Sequence, residues 1–216
     1  DRKASFRVTI LDPDVTVSQP PAVTAITGLD ALSHALESYV STRRNTLSQT
    51  FAREAWRLLE GNFETVLKQP GDLEARGAMQ VGAHFAGIAI ENSMLGVCHS
   101  LANPLTAHYG LTHGVAIGIL LPHVIRFNSA VVGALYGDLA HEVGLLNGDG
   151  AAGEVLAQRI SYLMQLAKVP TRLSAVGVSA GIFPVLAEEA AQQWTARFNP
   201  RPVTEHELEM LYQAAL

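Results

Sequence analysis

Two short stretches of the chain carry side chains suited to binding a divalent cation. Asp30 and His34 stand four residues apart in Asp30-Ala31-Leu32-Ser33-His34. On a helix this places a carboxylate and an imidazole one turn apart on one face. His99 and Asn103 repeat that spacing, and His113 follows just beyond Gly110, where a tight turn would fold it back beside His99. Three imidazoles and one carboxylate suit Fe(II) or Zn(II), with a further open position for a substrate oxygen. Each residue also has an ordinary reading. Asp30 fits as the acid of a capping box with Thr27, and each histidine alone fits as a packed, hydrogen-bonded side chain. Spacing does not by itself bring the two stretches together.

The remaining chemistry-bearing residues point less clearly. His84 sits among small residues, His108 and His123 could line a cleft, and His141 and His206 fall on amphipathic surfaces; all five read first as ordinary histidines. Cys98 reads as a small packed hydrophobe, and Trp56 and Trp194 as core or interface residues. A water-activating reading of the histidines would need a general base, for which Glu37 or Glu91 is available. No Ser/His/Asp hydrolase arrangement stands out. No Gly-x-Gly-x-x-Gly string follows a strand pattern, and no P-loop is present, so the stretch holds no nucleotide-phosphate cradle.

The elements that must position these residues read as helices. Hydrophobic residues make up 48% and charged residues 16% of 216, a composition that packs a core rather than staying disordered. The net charge is -5 with no basic stripe, which argues against nucleic acid as a partner. A single cysteine excludes an internal disulfide framework and agrees with a reducing, cytoplasmic setting. The longest apolar stretch, Val115 to Leu121, is too short to span a membrane.

The alternation Phe6-Arg7-Val8-Thr9-Ile10 reads as a strand with nothing nearby to pair with. It follows Asp1-Arg2-Lys3 without an initiator Met, as though the chain were the later part of a longer protein. Helices are expected from Pro20-Pro21 to Thr27-Gly28, over Leu29–Val40, over 47–68, and from Asp72 to about Ile90. Further helices are expected over Met94–Tyr109, Thr112–Phe127, Asn128–Leu145, Ala151–Ala167, Phe183–Ala196 and Thr204–Ala215. The last has Thr204 and Glu207 as a capping box. Asn147-Gly148-Asp149-Gly150 reads as a loop. The small residues from Gly77 to Ala89 suggest a buried, central helix to which other backbones come close. The fold class is all-α, a bundle of eight to ten helices.

At this point the motifs resemble a known family. Thr27 through Tyr39 resembles the first signature of the iron-containing (group III) alcohol dehydrogenases. His99 through Pro104, with Thr112-His113-Gly114-Val115-Ala116, Leu120-Leu121-Pro122-His123 and Phe127-Asn128, resembles the second. Asn199-Pro200-Arg201-Pro202-Val203-Thr204 is similar to the closing segment. The resemblance implies two domains, an N-terminal α/β domain binding NAD or NADP through a Gly-Gly-Gly-Ser loop and a C-terminal all-helical domain holding the metal. No Gly-Gly-Gly-Ser occurs here. Residues 1–18 are therefore expected to be a remnant strand and linker, and 19–216 the all-helical, dehydroquinate-synthase-like metal-binding domain.

By position the resemblance implies Asp30, His34, His99 and His113 as metal ligands, with Fe(II) favoured over Zn(II). It implies hydride transfer between small alcohols and aldehydes or ketones, and a homo-oligomer, dimer or larger. Asn103 stands where many members carry a relay histidine, and an amide does not titrate near neutrality. Glycerol-dehydrogenase-like and dehydroquinate-synthase-like domains are the rivals within the superfamily. A helical metal-dependent hydrolase is the rival outside it.

Overall fold

A computed structural model describes residues 6–146 and 151–216. Eight α-helices run through them: α1 (Pro21–Val40), α2 (Thr46–Lys68), α3 (Leu73–Glu91), α4 (Val97–Tyr109), α5 (His113–Glu142), α6 (Ala152–Leu166), α7 (Phe183–Gln192) and α8 (Glu205–Ala214). Short 3₁₀ turns occupy Asp14–Thr16, Leu173–Val176, Ala180–Ile182 and Trp194–Phe198. The all-α expectation holds. The strand at Phe6–Ile10 does not form: these residues are irregular and exposed, because no second strand is at hand to take their backbone hydrogen bonds. The glycine-rich loop expected over residues 147–150 lies outside the described residues.

α1 is the axis of the arrangement, packed on α2, α3 and α5. Pro21 opens it at a position where a missing N–H costs nothing. The break expected at Thr27-Gly28 is absent. Gly28 sits inside the helix because Phe63 of α2 lies against it; a Cβ there would fall 2.3 Å from the Phe63 ring. Thr27 turns its hydroxyl back to the Val23 carbonyl (2.8 Å) instead of capping anything. Asp30 is therefore a mid-helix residue, ten positions into α1, and its capping reading falls away.

α2 is started by Asn45, whose side chain accepts from Ser48 N while the Ser48 hydroxyl accepts from Asn45 N. Trp56 is fully buried on this helix, its indole N–H donating to the Leu139 carbonyl (2.9 Å). α3 is not the central helix that its small residues suggested. One stripe of it, through Ala75, Gly82, Ala86 and Ala89, is buried, while much of its other side is half-buried or exposed. The close approach is real but local: a Cβ on Gly82 would stand 2.7 Å from Leu59 Cγ.

The interior helices are α4 and the first half of α5, where Leu101, Leu105, Ile117, Leu120 and Leu121 are closed to solvent. The division expected at Asn128 falls four residues later, as a kink inside the 30-residue α5: Val132 departs from helical geometry (φ −127°, ψ 23°). Its length and apolar character would suffice to cross a membrane, yet most of its apolar window is buried inside the bundle, as expected of a core helix. α7 ends at Gln192, earlier than its sequence suggested, and the chain passes through Gln193 into the 3₁₀ turn at Trp194–Phe198. Trp194 is exposed rather than in the core. α8 begins with the expected Thr204–Glu207 box.

Candidate metal centre

Three helices deliver the four residues singled out by spacing. α1 presents Asp30 and His34 on one face, α4 presents His99 in its first turn, and α5 begins with His113. The fold between the last two depends on Gly110, which ends α4 at φ +63°, a left-handed conformation that a residue with a Cβ adopts only with strain. It depends also on Gly114, where α5 meets α1 so closely that a Cβ would fall 2.1 Å from the Ile26 carbonyl oxygen. Glycine is what lets the first turn of α5 reach α1.

The result is a convergence on one oxygen. Asp30 Oδ1 lies 3.4 Å from His34 Nε2, 3.5 Å from His99 Nε2 and 3.6 Å from His113 Nε2. The His34 and His99 rings stack with centroids 5.0 Å apart, and those of His99 and His113 are 5.2 Å apart. Asp30, His99 and His113 offer ligand atoms all within 4.8 Å of one another, and His34 joins them through Asp30. Asp30 Oδ1 and His99 Nε2 are both shielded from solvent and have no hydrogen-bond partner. Their mutual distance is at the edge of bonding range. Orphaned polar atoms are costly in a protein interior, and here two of them face one point with two more imidazole nitrogens beside it. Bonds of about 2.0–2.2 Å from N and O donors to zinc imply donor separations of roughly 3.3–3.6 Å around a tetrahedral ion. The donors fit a divalent cation by chemistry and by spacing.

Among the protein groups alone the charges are strongly coupled. Burial raises the cost of ionising Asp30, but the adjacent His99, His34 and His113 outweigh it and keep its pKa below the usual carboxylate value. Burial brings His34 down to about 4 against the pull of Asp30. It lowers His113 too, with the charge of His99 adding to the effect. His99 goes the other way: burial opposes its charged form, yet Glu37 and then Asp30 outweigh it and lift its pKa to about 9.

Glu37 is the site residue whose role spacing did not reveal. It is buried on α1, seven positions after Asp30, and its Oε2 lies 2.5 Å from His99 Nδ1 while Oε1 accepts from Cys98 N (2.7 Å). The signal was present: Asp30, His34 and Glu37 share one helix face in an otherwise apolar run. With both oxygens engaged, Glu37 is not the free general base that the hydrolase reading requires. Glu91, the other candidate, ends α3 on the exposed side and is not among the clustered donors. A Gly-x-Ser-x-Gly string does occur at Gly177-Val178-Ser179-Ala180-Gly181. It runs from the end of one 3₁₀ turn into the next, with no strand before it among the described residues, so it is not the strained strand-to-helix elbow of a serine hydrolase.

The closing segment is structural. Asn199 is buried and exchanges side-chain hydrogen bonds with Asn128 (2.8 and 3.0 Å), donates to the Arg201 carbonyl and accepts from Val97 N at 3.4 Å. It thereby ties α5 to the start of α4 beside His99. Asn103, one turn beyond His99, is exposed, and its amide donates to Gln193 Oε1 (3.1 Å). Cys98 is fully buried with its thiol toward the Ile117 carbonyl. The remaining histidines stand apart from the centre: His108 pairs with Glu189 on the surface, and His123 lies half-buried beside Arg126, where burial lowers its pKa.

Comparison with known proteins places this geometry. Residues 24–216 match the model of the Fe-containing alcohol dehydrogenase family, C-terminal part. The chain belongs to this family. Among its relatives, the 1,3-propanediol dehydrogenase of Klebsiella pneumoniae is 35% identical over 213 residues, covering 96% of this chain and 54% of that enzyme. The NAD-dependent methanol dehydrogenase of Bacillus methanolicus is 30% identical, covering 100% of this chain and 58% of that enzyme. The crystal structure of a 1,3-propanediol oxidoreductase superimposes with a TM-score of 0.92 at 34% identity, over 95% of this chain and 55% of that one. This Fe-containing alcohol dehydrogenase family chain thus spans about half the length of the curated relatives it matches. The comparisons favour that family over the hydrolase and synthase-like rivals.

Proposed function

We propose that this chain is the metal-holding half of an NAD(P)-dependent alcohol dehydrogenase that interconverts small alcohols with aldehydes or ketones. The observation that carries the reading is the pair of buried, unpartnered donors, Asp30 Oδ1 and His99 Nε2, aimed at one point with His34 and His113 beside them. Asp30, His34, His99 and His113 would hold the cation, with Fe(II) as the resident ion by family membership. Residues 1–18 would link this half to a nucleotide-binding half, and 19–216 would form the metal domain. NAD use is supported by the name of the methanol dehydrogenase relative. The buried, unpaired Cys98 supports a cytoplasmic setting, and self-association into a dimer or larger belongs to the same reading.

A divalent ion held by Asp30, His34, His99 and His113 would supply Lewis acidity toward a substrate oxygen, and a nicotinamide in the other half would supply the hydride chemistry. The chain's own residues do the rest. Asp30 would offset one of the two positive charges of the cation. His99 enters from the buried side and is closed to water, while His34 and His113 are partly exposed and border the side from which a substrate arrives. α4 and α5, on which Leu101, Leu105 and Ile117 are closed to solvent, would keep the inner side dry. Asn103 can accept or donate a hydrogen bond at the rim, but as an amide it does not carry a proton away.

The test is a panel of small alcohols offered with NAD or NADP to the metal-loaded, full-length enzyme. Nucleotide reduction that needs both the alcohol and the metal is expected. Its absence across the panel under both nucleotides would contradict the proposal.

A further inference from the structure

α4 begins without a cap of its own. Its N-cap residue is Gly96, which has no side chain to offer, and the first turn of a helix leaves N–H groups unpaired. Glu37 of α1 fills that place from outside the helix, accepting from Cys98 N at 2.7 Å. Gly96 leaves it room: a Cβ there would stand 2.9 Å from Glu37 Oε1. A carboxylate at a helix N-terminus is also favoured by the helix dipole. So far Glu37 is an unusual cap.

Its second oxygen does something a cap does not need. Oε2 lies 2.5 Å from His99 Nδ1, and among the described residues no lysine or arginine pairs with Glu37. A carboxylate has only acceptors, so the ring must place a proton on Nδ1. In the neutral ring that leaves the Nε2 lone pair facing Asp30 Oδ1, with His34 and His113 beside it.

We propose that Glu37 is a positioning residue for the metal centre: one buried carboxylate caps α4 and, by accepting a hydrogen bond from His99 Nδ1–H, fixes the tautomer and ring angle that make Nε2 a ligand. This rests on the metal-site reading above and adds to it a residue outside the four donors. Outer carboxylates that hold a ligand histidine typically change metal affinity 10–100-fold when altered.

Glu37→Gln separates the two roles. Gln is nearly isosteric, but it replaces one acceptor by a donor. If its oxygen accepts from Cys98 N, the cap survives and the amide N–H donates to His99 Nδ1. The ring proton then moves to Nε2, where it blocks ligation. A residue serving only as a cap would tolerate this change.

The experiment uses the full-length protein, stripped of metal and titrated with Zn(II) against a competing chelator, with Tm measured alongside. Expected are a Tm near that of wild type and Zn(II) affinity lower by 10–100-fold in Glu37→Gln. Equal affinity in the two proteins would overturn the positioning role while leaving the four-donor site standing. Wild type that binds no Zn(II) would overturn both. Should Glu37→Gln fail to fold, ¹⁵N spectra of Zn(II)-loaded wild type decide: a proton on His99 Nδ1 is expected, and an unprotonated Nδ1 would overturn the proposal.

Discussion

Gly114→Ala tests whether the approach of α5 to α1 sets the metal centre. The added Cβ would lie 2.1 Å from the Ile26 carbonyl oxygen and 2.8 Å from its carbon, both backbone atoms in the middle of α1. Neither can rotate away. Ordinary contact requires the first turn of α5 to retreat by roughly 1 Å, and overpacking of this kind costs about 1–3 kcal/mol. His113 is the neighbouring residue and moves with that turn, lengthening the 3.6 Å gap to Asp30 Oδ1. Constellations of this kind work only when held to about 0.5 Å.

Gly118→Ala is the control. It lies one turn further along the same face, and its Cβ would meet only the ends of Leu29 and Met164 at 3.3 Å, which can shift. Zn(II) affinity by chelator competition and Tm by calorimetry are the assays. Gly114→Ala is expected to lower affinity at least tenfold and to lower Tm, and Gly118→Ala to leave affinity within about twofold. Wild-type affinity in Gly114→Ala, or equal losses in both variants, would refute the reasoning.

Asn199→Ala removes a buried amide that serves Asn128, the Arg201 carbonyl and Val97 N. The unpaired groups left behind should cost about 3 kcal/mol, or a fall of roughly 6–12 °C in Tm, measurable by thermal denaturation. Asn103→His places a titratable ring one turn from His99 on an exposed position. The pH profile of alcohol oxidation should gain an ionisation near 6.5, about the ordinary histidine value, and an unchanged profile would put residue 103 outside the proton path. Cys98 is fully buried, so DTNB should leave it untouched in the native protein and label it once denaturant is added.

Much of this arrangement was readable from residue types and periodicity. The helices and the Thr204–Glu207 box follow from local pattern; spacing marked the four candidate donors, and the family resemblance grouped them as one ligand set. What was missed depends on partners far along the chain. Thr27-Gly28 looks like a stop-and-start signal, but Gly28 answers to Phe63, thirty-five residues away, and α1 runs on. Gly82 and its small neighbours mark a close contact with α2, yet nothing local says that α3 keeps its other side toward solvent. Glu37 shares a face with Asp30, but its task depends on α4 arriving with an uncapped end. The boundary expected at Asn128 falls instead at Val132, and the Asn128 amide is committed to Asn199. Phe6–Ile10 has strand alternation without a strand to join, and local pattern cannot supply one.

The most direct test is the metal content of the full-length protein and of its single variants Asp30→Asn, His99→Ala and His113→Ala. Elemental analysis after equilibration with Fe(II) or Zn(II) should give one ion per chain in the wild type. Each variant should lose that ion while remaining folded by circular dichroism. A full complement of metal retained by the three folded variants would contradict the convergence of these side chains on one cation.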